Sequence, residues 1–226
     1  MAEVGDMRAS VTIARLDEFE IAFGELGAKV GPRLGTKKRT HDEKEWYVIR
    51  RFLDEAIARK LFSLPLTVEK GHPPAPDFLV RDKREAFVEI TEATDEADQR
   101  EMTLIELSDK WILHGELGGR FNGGGGNPGP TWASDIVKAV ERKKGKSIFA
   151  PTSSERHLII YPNSNASALI FSREDEVSAF STLLNVINPR RSELLRITNG
   201  CLVHILGKEY VFFDVFGRAT RRRRKQ

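Results

Sequence analysis

The feature that most constrains the fold of this chain is the alternation of helical segments with short apolar runs. The runs Leu158 to Tyr161 and Tyr210 to Phe213 have the length of strands and are far too short to span a membrane. Ser134 to Lys144 and Ser172 to Leu184 have the apolar spacing of helices. This alternation predicts an α/β fold, with helices on both faces of a sheet. A chain of 226 residues is long enough for one sizeable domain and short for two.

The sequence divides into an arm, one domain and a tail. We expect residues 1–39 to form an N-terminal arm that holds one strand or short helix, followed by a connector rich in Gly and Lys. Residues 40–217 form the predicted domain. Within it, segment 118–130 has seven glycines and two prolines, which is typical of a flexible surface loop. Residues 218–226 form a basic tail that we expect to be disordered.

Positive charge is concentrated in this tail. Six of its nine residues are Arg or Lys, so the net charge of +3 for the whole chain leaves −3 for the rest. A basic tail can attract a phosphate backbone without sequence specificity, or it can be a solvated end that has no partner. The candidate nucleic-acid contacts are Lys37, Lys38, Arg39, Lys144, Arg222 and Arg223.

Cysteine content and the N-terminus indicate the compartment. Cys201 has no second cysteine to pair with inside the chain, which is typical of proteins in a reducing compartment. The first ten residues, MAEVGDMRAS, contain acids and lack the apolar core of a secretory signal. We therefore expect a cytoplasmic protein that has no membrane partner.

Two carboxylates belong to a predicted β-hairpin. Phe78 to Val80 and Ala86 to Ile90 are short apolar runs on either side of a charged turn, which predicts two antiparallel strands. Asp77 enters the first strand and can lie across from Glu89 on the second, and Thr91 shares the face of Glu89. Two adjacent carboxylates repel each other, and Mg²⁺ can hold both of them ionised. Such a metal activates water and neutralises charge that develops on a phosphate.

The order helix, Pro-Asp, hairpin, Glu-x-x, helix and strand, over about residues 40–165, resembles the PD-(D/E)XK nuclease superfamily. The resemblance implies a restriction-endonuclease-like αβα sandwich with a central mixed sheet. It also implies that Asp77 and Glu89 bind Mg²⁺, or Mn²⁺ in its place, during hydrolysis of phosphodiester bonds. The lysine of this family stands two positions after the Glu, where this chain has Thr91.

The missing lysine has a candidate replacement. Lysines at other positions are a known variation in this superfamily, and Lys143 shares a helical face with Ile136. Lys144 is the second choice. The same lysines would also suit the C-terminal end of a helix without any catalytic role, because cations there complement the helix dipole.

Two more side chains are candidates for the site. Glu45 shares a helical face with Ile49 and Phe52, so it points inward and either approaches the metal as a third carboxylate or only flanks the core. Gln99 follows the motif strand at a place where some relatives carry a polar site residue.

Three functions compete on this basis. The first is a Mg²⁺-dependent endonuclease acting on DNA or RNA, with DNA the more expected substrate, and nucleases of this kind are commonly homodimers. The second is a nuclease-like fold that has lost catalysis and binds nucleic acid or protein, which Thr91 favours. The third is an accessory protein of a phage or mobile element whose tail docks a partner. Metal-dependent cleavage separates the first two, and deletion of residues 218–226 separates the last two.

Overall fold

The computed structural model describes residues 10–29, 41–72, 74–94, 128–163, 170, 172–207 and 210–217, with side chains only to residue 23 in the first range. The helices in these ranges are α1 (Leu16–Lys29), α2 (His41–Ala58), α3 (Gly129–Arg142) and α4 (Arg173–Thr198), and a 3₁₀ turn spans Ser147–Phe149. The strands are β1 (Ser10–Ile13), β2 (Leu66–Lys70), β3 (Phe78–Arg81), β4 (Glu85–Ala93), β5 (Glu155–Pro162), β6 (Leu202–Leu206) and β7 (Val211–Phe212).

These strands form one mixed sheet in the order β1-β2-β3-β4-β5-β6-β7. The first four strands pair with one another in antiparallel fashion. β5 runs parallel to both β4 and β6, and β7 closes the sheet antiparallel to β6. Helix α3 lies in the crossover from β4 to β5, and α4 lies in the crossover from β5 to β6. The predicted β3–β4 hairpin is confirmed, and the fold is an α/β fold with a mixed sheet flanked by helices.

Helices α1 and α2 cover one face of the sheet. In α2, Trp46, Ile49 and Phe52 recur at helical spacing and are fully or almost fully buried. They pack with Val68 of β2 and Val88 of β4 in one core cluster. Burial of this stripe, rather than helix propensity alone, holds α2 on the sheet.

Helices α3 and α4 cover the opposite face. Ile136 and Val140 of α3 and Leu183 of α4 are fully buried in a second core cluster, together with Leu158 and Ile160 of β5. Because alternate residues of a strand point to opposite faces, β5 contributes to both cores. The sheet is therefore covered on both sides, as the apolar runs predicted.

The domain begins earlier in the chain than the predicted boundary at residue 40. β1 pairs with β2 along its whole length, from Ser10 opposite Glu69 to Ile13 opposite Leu66. In α1, Phe19 and Phe23 are buried in the same core as α2. The segment 10–29 is thus part of the domain, because its apolar side chains have a place in the core.

Other boundaries also differ from the sequence prediction. α3 starts at Gly129, so the last residues of the predicted loop 118–130 are helical. α4 continues past Leu184 and through Pro189 to Thr198. Residues 118–127 of the loop and the tail 218–226 lie outside the described residues. None of the helices in the described part of the chain is long and apolar enough to cross a membrane.

Candidate active site

The backbone of Asp77 is fixed by the end of β2. The N–H of Gly71 donates to the carbonyl of Asp77 at 2.8 Å. A Cβ atom at position 71 would lie only 1.8 Å from the carbonyl oxygen of Pro76. Glycine is therefore required at position 71, because no other residue lets the Pro76-Asp77 segment approach β2 this closely.

The side chain of Asp77 reaches across to β4. Phe78 pairs with Val88 at the start of β3, and one more step of this antiparallel register places Asp77 opposite Glu89. The N–H of Ile90 donates to Asp77 Oδ2 at 2.7 Å. This bond to an ionised acceptor is stronger than a neutral one, so it holds the carboxylate beside Glu89. The register and this bond place Asp77 at the same end of the hairpin as Glu89.

Lys143 provides a positive charge at the acidic pair. Its Nζ lies 2.6 Å from Glu89 Oε1, and the two side chains are 21% and 16% exposed. Lys143 follows α3 immediately, and the buried face of that helix turns it toward β4. The guanidinium of Arg142 donates to the carbonyl of Glu92 at 2.8 Å and so ties the end of α3 to β4. The structure thus brings Asp77, Glu89 and Lys143 together on one face of the sheet.

The carboxylates retain capacity for a cation. Within the described residues, Asp77 Oδ2 accepts from Ile90 and Glu89 Oε1 accepts from Lys143, which leaves the second oxygen of each carboxylate for a cation. No group of three or more His, Cys, Asp or Glu side chains in the described ranges is placed to hold a metal. Mg²⁺ is commonly held by one or two carboxylates, with waters and substrate phosphates completing its shell. The two acids fit that mode, and they do not form an all-protein metal cage.

Glu45 lies elsewhere. It is 4% exposed in α2, in the helical layer on the opposite side of the sheet from α3. Its carboxylate pairs with the ammonium of Lys70 and lies 2.8 Å from Nε2 of His41. The predicted inward orientation is confirmed, but the structure does not place Glu45 in a metal-binding group with Asp77 and Glu89. Lys70 compensates the cost of burying this carboxylate.

The structure describes two of the remaining candidate residues, and the others lie outside the described ranges. Thr91 is half-buried on β4, two residues beyond Glu89 and opposite Ile160 of β5. Lys144 is exposed in the turn that follows α3. The candidates outside the described residues are Lys37, Lys38, Arg39, Gln99, Arg222 and Arg223. Their roles stay predictions.

A buried histidine pair on the α2 side of the sheet was not expected. The N–H of Asp214 donates to His204 Nδ1 at 3.1 Å, so the proton of the neutral ring is on Nε2. This nitrogen lies 2.8 Å from Nδ1 of His157. The other ring nitrogen of His157 then carries a proton and lies 2.9 Å from Glu155 Oε1. Burial lowers the pKa of His204 well below 6.5.

From the sequence, only the alternation of side chains along β5 and β6 could have predicted this pair. His157 and His204 lie on neighbouring parallel strands, and both point to the α2 side, where they contact Phe52. Their separation in sequence resembles no metal-ligand spacing.

Comparison of the chain with protein-family models, with curated proteins and with solved structures finds no match in any of the three.

Proposed function

We propose that this chain is a Mg²⁺-dependent endonuclease of the PD-(D/E)XK type, with a restriction-endonuclease-like fold, that hydrolyses phosphodiester bonds of DNA or RNA. The observation that carries the proposal is the 2.6 Å contact between Lys143 and Glu89, next to Asp77. It supplies, from the end of α3, the positive charge that Thr91 does not supply on β4.

The element order supports the same proposal. α2, the Pro76-Asp77 step, the β3–β4 hairpin, α3 and β5 follow one another in the order that the resemblance implies. The two acids come from this hairpin, and the lysine comes from the helix that crosses to the parallel strand β5. A positively charged group at a different position is compatible with the same chemistry, because function depends on the geometry of the site.

The chain's own residues have distinct tasks in this proposal. Asp77 and Glu89 would hold Mg²⁺, which when bound supplies neutralising charge and a more acidic water. The Lys143 ammonium has three N–H donors, and it can direct one of them to the attacking water or to a phosphate oxygen. The bond from Ile90 N–H keeps Asp77 oriented before substrate arrives.

Cleavage of nucleic acid tests the function. Wild type and Asp77→Asn are incubated with supercoiled plasmid, linear duplex, single-stranded DNA and RNA, with Mg²⁺, with Mn²⁺ or with EDTA. We expect wild type to cut at least one substrate only with a metal, and Asp77→Asn not to cut. Asp54→Asn, which changes an exposed acid of α2, should cut like wild type. Equal cutting by wild type and Asp77→Asn would refute the assignment.

Metal binding can be tested without cleavage. A ligand that binds only the native state raises the melting temperature. Mg²⁺ should therefore raise Tm for wild type and for Asp54→Asn, and it should leave Tm of Asp77→Asn unchanged. The same Mg²⁺ response in Asp77→Asn would contradict the proposed metal site.

A second candidate function is a nuclease-like binding module without catalysis. Thr91 favours it, because threonine at this position cannot carry the family's positive charge. This function predicts nucleic-acid binding by wild type with no cleavage of any of the four substrates.

A further inference from the structure

A cavity of about 160 Å³ lies beside the acidic pair. Pro76 and Phe87 of the hairpin line one side of it. Ser147, Pro151 and Thr152, from the segment between α3 and β5, line the other. None of these residues has a task in the proposed cleavage site, so the cavity needs a separate account.

The distance from the acids to the cavity is about the length of one nucleotide. Pro76 directly precedes Asp77, and Phe87 lies two residues before Glu89 on the same face of β4. Two residues along a strand span about 7 Å. A phosphodiester held at Asp77 and Glu89 would therefore present an adjoining base at the mouth of the cavity.

The size and lining of the cavity suit a single six-membered ring. A cavity of about 150 Å³ lined by apolar side chains accommodates benzene. The Phe87 ring and Pro151 offer apolar surfaces for a flat ring, and stacking of this kind is tolerant of base identity. The hydroxyls of Ser147 and Thr152 can donate to or accept from the polar edge of a base.

The wall of the cavity is held in place by Arg156, which is 9% exposed. Its guanidinium donates to the carbonyl of Ile148 at 3.1 Å and also to the carbonyls of Ala150 and Asn199. These bonds fix the segment 147–152 against the end of α4. The cavity is thus formed before a ligand arrives, which reduces the entropy cost of binding.

The turn that precedes segment 147–152 carries several cations. Lys143 contacts Glu89, and the turn that follows it carries the exposed Lys144 and Lys146. Gly145 has φ of +79° in this turn, a conformation that glycine adopts readily. Lysines here can contact phosphates without reading sequence.

We propose that this cavity binds one unpaired nucleobase, sized for a pyrimidine, from a single-stranded part of the substrate. The proposal rests on the proposed function, because the phosphate next to that base is the one held at Asp77 and Glu89. A base in a duplex is stacked and paired, so it can enter only after it leaves the stack, at an energetic cost. The site therefore favours single strands or unpaired positions over intact duplex.

Binding of two strands of equal charge tests this site. The probes are a fluorescein-labelled oligothymidylate of roughly 12 nucleotides and an abasic strand of the same length, with Ca²⁺ in place of Mg²⁺ and strand integrity checked on a gel. Wild type should bind oligothymidylate about 10-fold more tightly than the abasic strand, since stacking contributes to the first alone.

Two adjacent substitutions provide the control. Thr152→Trp places a large ring at the cavity and should remove the preference for oligothymidylate, whereas Ser153→Trp, one residue outside the lining, should retain it. Phe87→Leu keeps the apolar packing and loses the stacking ring, so it should also weaken the preference. Thermal melting verifies that each variant is folded. If Thr152→Trp does not fold, the result for Phe87→Leu decides the test.

The outcomes separate this site from the proposed function. No preference in wild type, or an undiminished preference in both cavity variants, would overturn the nucleobase site. A preference that depends on the cavity in a protein that cuts no substrate would reject the nuclease and keep the base site. Metal-dependent cutting without any base preference would keep the nuclease and reject the base site.

Discussion

Glu89 and Lys143 meet in surroundings that water only partly reaches. Their side chains are 16% and 21% exposed, and the charged atoms are 2.6 Å apart. An ion pair at this depth is screened less than one on the surface. Loss of either partner leaves the other charge half-buried and uncompensated, which lowers stability. Any test of Lys143 in catalysis therefore needs a measurement of folding beside it.

His204 predicts an acid-sensitive stability. Burial lowers the pKa of His204 well below 6.5 in the folded chain, whereas the pKa of a histidine in the unfolded chain is about 6.5. As pH falls through about 6.5, the unfolded state binds a proton that the folded state does not, so the free energy of unfolding decreases. His204→Asn removes this proton uptake. Urea unfolding at pH 7, 6 and 5 should show a shallower loss for His204→Asn, by up to about 1.4 kcal/mol per pH unit.

An exposed histidine supplies the control for this pH series. His72→Asn, which changes an exposed histidine, should keep the wild-type pH dependence. Identical slopes for wild type and His204→Asn would show that His204 does not control acid stability.

At the scale of elements, α4 has a defined start. The hydroxyl of Ser172 accepts from the N–H of Asp175 at 3.1 Å, and the carboxylate of Asp175 accepts from the N–H of Ser172 at 3.0 Å. Ser172→Ala removes half of this capping box and should cost about 1 kcal/mol of unfolding free energy. Urea unfolding measures it, with Ser178→Ala, an exposed position inside the helix, as the neutral comparison. Equal stability of the two variants would contradict the capping role.

Periodic elements were predictable from the sequence, and isolated ones were not. The β3–β4 hairpin and the buried stripe of α2 follow from alternation and from helical spacing. β1 has only four residues, so its membership of the sheet depends on pairing with β2, which lies far along the chain. α4 runs through Pro189, normally a stop signal, because Ile187 and Leu194 remain buried on either side of it.

The same distinction applies to the candidate site, because periodic patterns predicted only part of it. Hairpin register predicted that Asp77 can lie across from Glu89, and helical period put Lys143 on the face of Ile136 as a candidate for the missing lysine. The cavity depends on segment 147–152, whose path is set by bonds from Arg156 to backbone carbonyls. Such bonds leave no periodic signal in a sequence. Glu45 was correctly predicted to be buried, but its pairing with Lys70 required knowledge of which face of the sheet α2 covers.

At the scale of the whole molecule, one sheet separates two cores, and α1 belongs to one of them. Phe23 is fully buried, and its ring centroid lies 6.1 Å from that of Trp46. Phe23→Ala should cost about 3–5 kcal/mol because it removes a large side chain and leaves a cavity. Ile21→Ala changes a side chain that is 81% exposed on the same helix and should change stability little. Urea unfolding compares them, and a small effect of Phe23→Ala would show that α1 does not stabilise the domain.

The most direct test of the account is the cleavage rate of Lys143→Ala beside that of Lys144→Ala. Both variants lose one lysine from the end of α3, but only Lys143 contacts Glu89. With Mg²⁺ and folding verified by thermal melting, Lys144→Ala should cut at close to the wild-type rate, and Lys143→Ala should lose about 100-fold or more, as when a transition-state donor is removed. If folded Lys143→Ala cuts at the wild-type rate, the claim that Asp77, Glu89 and Lys143 form one active site is contradicted.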